Sequence, residues 1–85
     1  MVRPVTQDLM DDLAYQIHEY LLENSTEFDG KHLVLLPITA IVKKFERNHR
    51  TIDRRLKVLK QEGFIQLIIR KDFTSLYWVK ELEED

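Results

Sequence analysis

Along this 85-residue chain, apolar positions recur at helical spacing in three stretches and in short strand-like runs in three others. Leu9, Leu13, Ile17, Tyr20 and Leu21 lie three and four residues apart, and Met10 and Ala14 widen their stripe. This predicts a first helix over about Thr6–Asn24. Thr6 suits its N-cap and Asp8 its positive first turn, while Asp11, Asp12, Glu19 and Glu23 occupy the other faces. Ser25–Lys31 reads as a loop turning at Asp29-Gly30. Leu33–Leu36, closed by Pro37, is too short for a helix and fits one buried strand. Ile38, Ile41, Val42 and Phe45 then fall at i, i+3, i+4 and i+7, a second helix with Lys43 and Lys44 on its other face. Glu46-Arg47-Asn48 is a tight connection, and Asn48 is a good cap for a third helix over about His49–Glu62, which Gly63 stops. Phe64–Arg70 and Leu76–Val79 are rich in strand formers and predict a hairpin joined through Lys71–Ser75. The acidic tail Glu81–Asp85 is expected to fray.

The third helix changes the picture once its faces are separated. Ile52, Leu56 and Leu59 form its apolar stripe. At about 100° per residue, the opposite direction carries Arg50, Arg54, Lys57 and Gln61. The net charge of −2 conceals this. Lys43–Lys60 holds eight of the thirteen Lys and Arg residues and only two acids, Glu46 and Asp53, for a local charge of +6 that leaves −8 on the rest. A positive segment on an acidic body is the footprint expected for a polyanion.

The order helix, strand, helix, tight turn, basic helix and hairpin makes an α+β domain of winged helix-turn-helix type, a single domain over 1–85. The residues also resemble the DNA-binding domain of GntR-type bacterial regulators. Leu36-Pro37, an apolar helix ending at Phe45, then Thr51-Ile52, Leu56, Leu59 and Glu62-Gly63-Phe64-Ile65 are similar to that family's spacing, without its effector domain. Ile38 stands where the family usually has Ser, and Asn48-His49 where it commonly has Ser-Arg. The resemblance implies a transcriptional regulator that binds double-stranded DNA.

Arg50, Arg54 and Lys57 are the candidate base readers, since Arg recognises guanine edges with two hydrogen bonds. Asn48, His49 and Thr51 lie at the start of the same helix, where phosphate meets free amides. Lys43, Lys44 and Arg47 are expected on the sugar-phosphate backbone, and Arg70 and Lys71 at a wing. Arg55 and Lys60 flank the core stripe and are expected to snorkel. Phe73 at the tip is expected either to wedge against DNA or, as the favoured expectation, to fold back onto the hairpin, and Tyr15, Tyr20, Tyr77 and Trp78 to build the core or a dimer contact.

The remaining composition narrows the classes. The chain has no cysteine, so it has no disulfide framework and no thiolate metal site. His18, His32 and His49 lack metal-ligand spacing. There is no glycine-rich phosphate loop and no nucleophile with a partnered base, so neither an enzyme nor a cofactor or small-molecule site is expected. No apolar run approaches a membrane span, and Met1–Asp12 turns polar at once, unlike a secretory signal. The expectation is an intracellular protein, cytoplasmic or nucleoid-associated, acting as a homodimer. The first helix and the C-terminal strand are its candidate dimer surfaces. Two alternatives stand beside this reading: a replication-origin or partition protein, and a winged-helix protein-interaction module, which the acidic body favours and the +6 segment argues against. The chain as the DNA-binding piece of a larger regulator is a further expectation.

Overall fold

Asp11 sets where the first helix begins. In the computed structural model, which describes residues 11–81, Asp11 has extended backbone (φ −92°, ψ −172°) and its carboxylate accepts the Ala14 N–H at 3.1 Å. Helix α1 therefore spans Asp12–Glu23, not a continuous helix from Thr6. A carboxylate in this position satisfies an amide that the helix cannot, which makes it a strong start signal. The expected roles of Thr6, Asp8, Leu9 and Met10, and residues 82–85 of the tail, lie outside the described residues.

The expected loop after α1 contains a strand. Strand β1 (Thr26–Phe28) pairs antiparallel with β2 (Lys31–Pro37) across the two-residue turn Asp29-Gly30. Both turn residues have positive φ, 56° and 78°, the conformation that matches strand twist and favours an Asp-Gly pair. All three β1 residues are exposed, so no burial pattern marked the strand in the sequence.

Helix α2 (Ile38–Phe45) and helix α3 (His49–Gln61) follow, then β3 (Ile65–Lys71) and β4 (Thr74–Val79). The described residues form three helices and one four-stranded antiparallel sheet of order β1-β2-β4-β3. Strand β4 is hydrogen-bonded along both edges, so it offers no free edge to a partner strand.

The helices cover one face of the sheet. Val34, Leu36, Ile65, Tyr77 and Val79 point into a core completed by Leu13, Ile17 and Leu21 of α1, Ile41 of α2, and Ile52, Leu56 and Leu59 of α3. Leu35, in the run expected to be fully buried, is 68% exposed, because β2 is covered on one side only and alternate residues face outward. Leu35, Leu76 and Ile69 sit directly opposite one another across β2, β4 and β3 on that outer face.

The aromatic residues divide. Tyr77 is core, Tyr20 packs edge-on against Phe45 at 5.7 Å, and Trp78 lies on the outer face under Lys31. Tyr15 is exposed, not core. Buried His18 donates from Nε2 to the Lys80 carbonyl at 2.6 Å, pinning the end of β4 to α1, and stands 5.5 Å from the Phe64 ring. A carbonyl only accepts, so this bond fixes the proton on Nε2.

Candidate nucleic-acid interface

The α2–α3 connection fixes how α3 is turned. Glu46 ends α2 in the left-handed conformation (φ 54°), which reverses the chain within three residues. Asn48 then returns to extended backbone, and its Oδ1 accepts the Thr51 N–H at 2.8 Å. At the other end, the Gly63 N–H reaches the Lys60 carbonyl at 3.1 Å and the Phe64 N–H the Leu59 carbonyl at 2.9 Å. This pair of bonds, with Gly63 at φ 84°, is a Schellman stop. Both ends of α3 are thus locked by side chain or backbone, and its stripe Ile52, Leu56 and Leu59 is buried as expected. Val58 is buried as well, one apolar position beyond that stripe.

With that face inward, Arg50, Arg54, Lys57 and Gln61 are all exposed on the other. His49 is exposed at the first helical position, and Thr51 is half-buried behind it. Asn48 is exposed, and its side-chain oxygen is committed to the cap. Lys43 and Lys44 are exposed in the last turn of α2, where the helix dipole favours cations, and Arg47 is exposed in the connection. The Lys44 ammonium lies 5.9 Å from the Tyr20 ring centre, which holds it near the surface of α1.

Arg55 behaves differently from its expected snorkelling. Its Nη2 donates to Asp11 Oδ2 at 2.7 Å and its Nε to Asp11 Oδ1 at 3.2 Å, a two-point pair that ties α3 to the start of α1. The Arg55 guanidinium holds the Asp11 carboxyl below its usual value, with the Ala14 amide helping and partial burial opposing. Among the described residues, Arg55, with Asp11, is the only Lys or Arg paired to a carboxylate, and His32 Nε2 lies 2.8 Å from Glu81 Oε2. The Arg55–Asp11 pair is not legible in the sequence, because its partners are 44 residues apart.

The β3–β4 hairpin carries Arg70 and Lys71 on opposite faces, and an irregularity decides which of them faces the helices. Leu67 pairs with Tyr77, but Ile69, not Ile68, pairs with Leu76, so Ile68 is an extra residue in β3. Regular pairing of the same residues would set Arg70 on the outer face. The bulge instead places Arg70 opposite Ser75, on the side of the sheet that carries the helices, and leaves Lys71 opposite Thr74 on the outer side. The expected connection Lys71–Ser75 shrinks to two residues, Asp72 and Phe73, because Thr74 and Ser75 join the ladder. Asp72 takes the positive φ (57°), and Phe73 is 77% exposed, not folded back. A two-residue tip projects it past the last pair, where no strand neighbour faces it.

No family model, curated protein or solved structure matches the chain. What the surface can do follows from its own chemistry. It offers guanidinium and ammonium groups on one rigid helix, more of them on the preceding turn, and a basic hairpin. That set suits phosphate and base-edge acceptors. No group of three or more metal-binding side chains is placed together among the described residues, and no helix there is long and apolar enough to cross a membrane.

Proposed function

We propose that this chain is a winged helix-turn-helix protein that binds double-stranded DNA sequence-specifically, as a transcriptional regulator. Helix α3 enters the major groove with Arg50, Arg54 and Lys57 toward base edges. Lys43, Lys44 and Arg47 hold phosphates on one side, and the β3–β4 hairpin, acting as the wing, brings Arg70 and Lys71 to the other. The observation that carries the reading is the orientation of α3. Its apolar stripe is buried and both its ends are capped, so its cations point outward on a fixed helix rather than on a mobile loop. Order of elements supports the same reading, since β2, β4 and β3 form a three-stranded antiparallel unit next to the α2–α3 pair.

One such domain presents one reading helix, and two copies on half-sites about one helical turn apart gain affinity and specificity together. The proposed active form is therefore a homodimer. The test is selection of bound sequences from a random duplex pool with the full chain. A recovered palindrome with half-sites at that spacing supports both parts of the proposal. A single asymmetric motif removes the dimer, and recovery no better than chance removes sequence-specific binding.

A further inference from the structure

The chain builds two two-residue hairpin turns, and they begin alike. Asp29 and Asp72 occupy the same first position with nearly the same φ, 56° and 57°. The second position differs. The β1–β2 turn has Gly30, a residue suited to a turn, whereas the β3–β4 turn has Phe73. An aromatic ring at a turn tip contributes nothing to the fold, because its apolar area stays in water and is available to a partner. Phe73 has the highest exposure of the large apolar side chains among the described residues.

The surroundings of the tip indicate what it meets. Phe73 follows exposed Arg70, Lys71 and Asp72, a net positive set, while the tip at Gly30 follows Glu27, Phe28 and Asp29. A flat apolar ring at the end of a basic, two-stranded finger has the shape and charge of a wedge for nucleic acid. Such a ring inserts between stacked bases while neighbouring cations hold the flanking phosphates. Asp72 opposes phosphate at the tip itself, which favours contact by the ring over contact by the turn backbone.

We infer that Phe73 is an unstacking wedge: it enters a base step in the groove beside the one occupied by α3 and kinks the duplex there. The inference rests on the proposed DNA-binding reading and adds to it a deformation of the DNA. Pyrimidine–purine steps unstack most easily, so the wedge predicts a preference for such a step at a fixed distance from the bases read by α3.

The experiment uses the full chain with a duplex carrying a dye at each end and 2-aminopurine at the predicted step. Binding of the native protein is expected to bring the ends closer and to raise 2-aminopurine fluorescence. Phe73→Ala is expected to bind while losing both signals, and Phe73→Leu, which keeps an apolar wedge, to retain them in part. Because the side chain is exposed, both variants should show the native circular dichroism and melting temperature. Equal bending by the native chain and Phe73→Ala would overturn the wedge and leave the role of α3 intact. Unchanged bending with an altered oligomeric state by light scattering would also overturn it, and assign Phe73 to a protein contact. Absence of any duplex binding at low salt would overturn the wedge together with the reading beneath it.

Discussion

Asp11 shows how one side chain can do two structural jobs. Its carboxylate caps α1 through the Ala14 amide and clasps Arg55 on α3. Asp11→Ala removes both and is expected to cost about 1–2 kcal/mol, from a lost cap of about 1 and a partly exposed ion pair worth less. Asp11→Asn keeps an oxygen for the cap and loses the charge. Because the Arg55 guanidinium holds the folded carboxyl below the ordinary aspartate value of 3.8, the charge contribution is fully present above that pH and disappears as pH falls through the folded value. Urea unfolding of native and Asp11→Asn protein should therefore show a gap that is constant from neutral pH to about pH 5 and closes below pH 4. A gap unchanged at pH 3 would contradict the pairing. Arg54 belongs to the same scale. Arg54→Ala is expected to cost roughly 1–3 kcal/mol on the preferred duplex and to relax one base position, read by titration against single-base variants of that site. Equal losses on every sequence would reassign Arg54 to phosphate.

At the level of elements, the bulge in β3 does more than interrupt a ladder. It turns Arg70 toward the helix side and Ile69 outward, in line with Leu35 and Leu76. It also breaks the regular run of backbone donors and acceptors on β3, which is an edge strand, and edges with regular runs invite pairing between molecules. Deleting Ile68 leaves Ile69 opposite Leu76 and Arg70 opposite Ser75, so native circular dichroism is expected to survive. The repaired edge is expected to self-associate more strongly, seen as a steeper rise of scattering with concentration than in the native chain. Unchanged scattering would show that the bulge does not protect the edge. None of this is visible in Ile65–Lys71 as a string, since two adjacent isoleucines fit a regular strand and a bulged one equally well. By contrast, α3 is legible in outline: Asn48, the stripe Ile52, Leu56 and Leu59, and Gly63 each act locally, and cap, register and stop all stand where their chemistry puts them.

For the whole molecule, the relevant quantity is how charge is distributed, not its sum. The segment Lys43–Lys60 carries +6 and the remainder −8. Within that segment Arg55 is spent on Asp11, so the charge available to a partner is smaller than the count and is concentrated on the outward face of α3 and the end of α2. If phosphates meet that surface, affinity should fall linearly on a log–log salt plot, with a slope of about −0.9 per phosphate contact. Replacing Lys43 and Lys44 together by Ala should make that slope shallower by about one unit per lysine and weaken all duplexes alike. An unchanged slope would take α2 out of the interface.

Local pattern is sufficient for α2, for α3 with its cap and stop, for the Asp29-Gly30 turn and for the division of α3 into an apolar and a basic face, because each depends on residues within a few positions of one another; the start of α1 at Asp11 is not legible in it. The ion pair of Arg55 with Asp11, the outward face of β2, the pairing of β4 on both edges, the bulge and the exposed ring of Phe73 depend on which segments pack together. Side chains distant in sequence become neighbours only when the core closes, and only then is it settled which cations remain outside it.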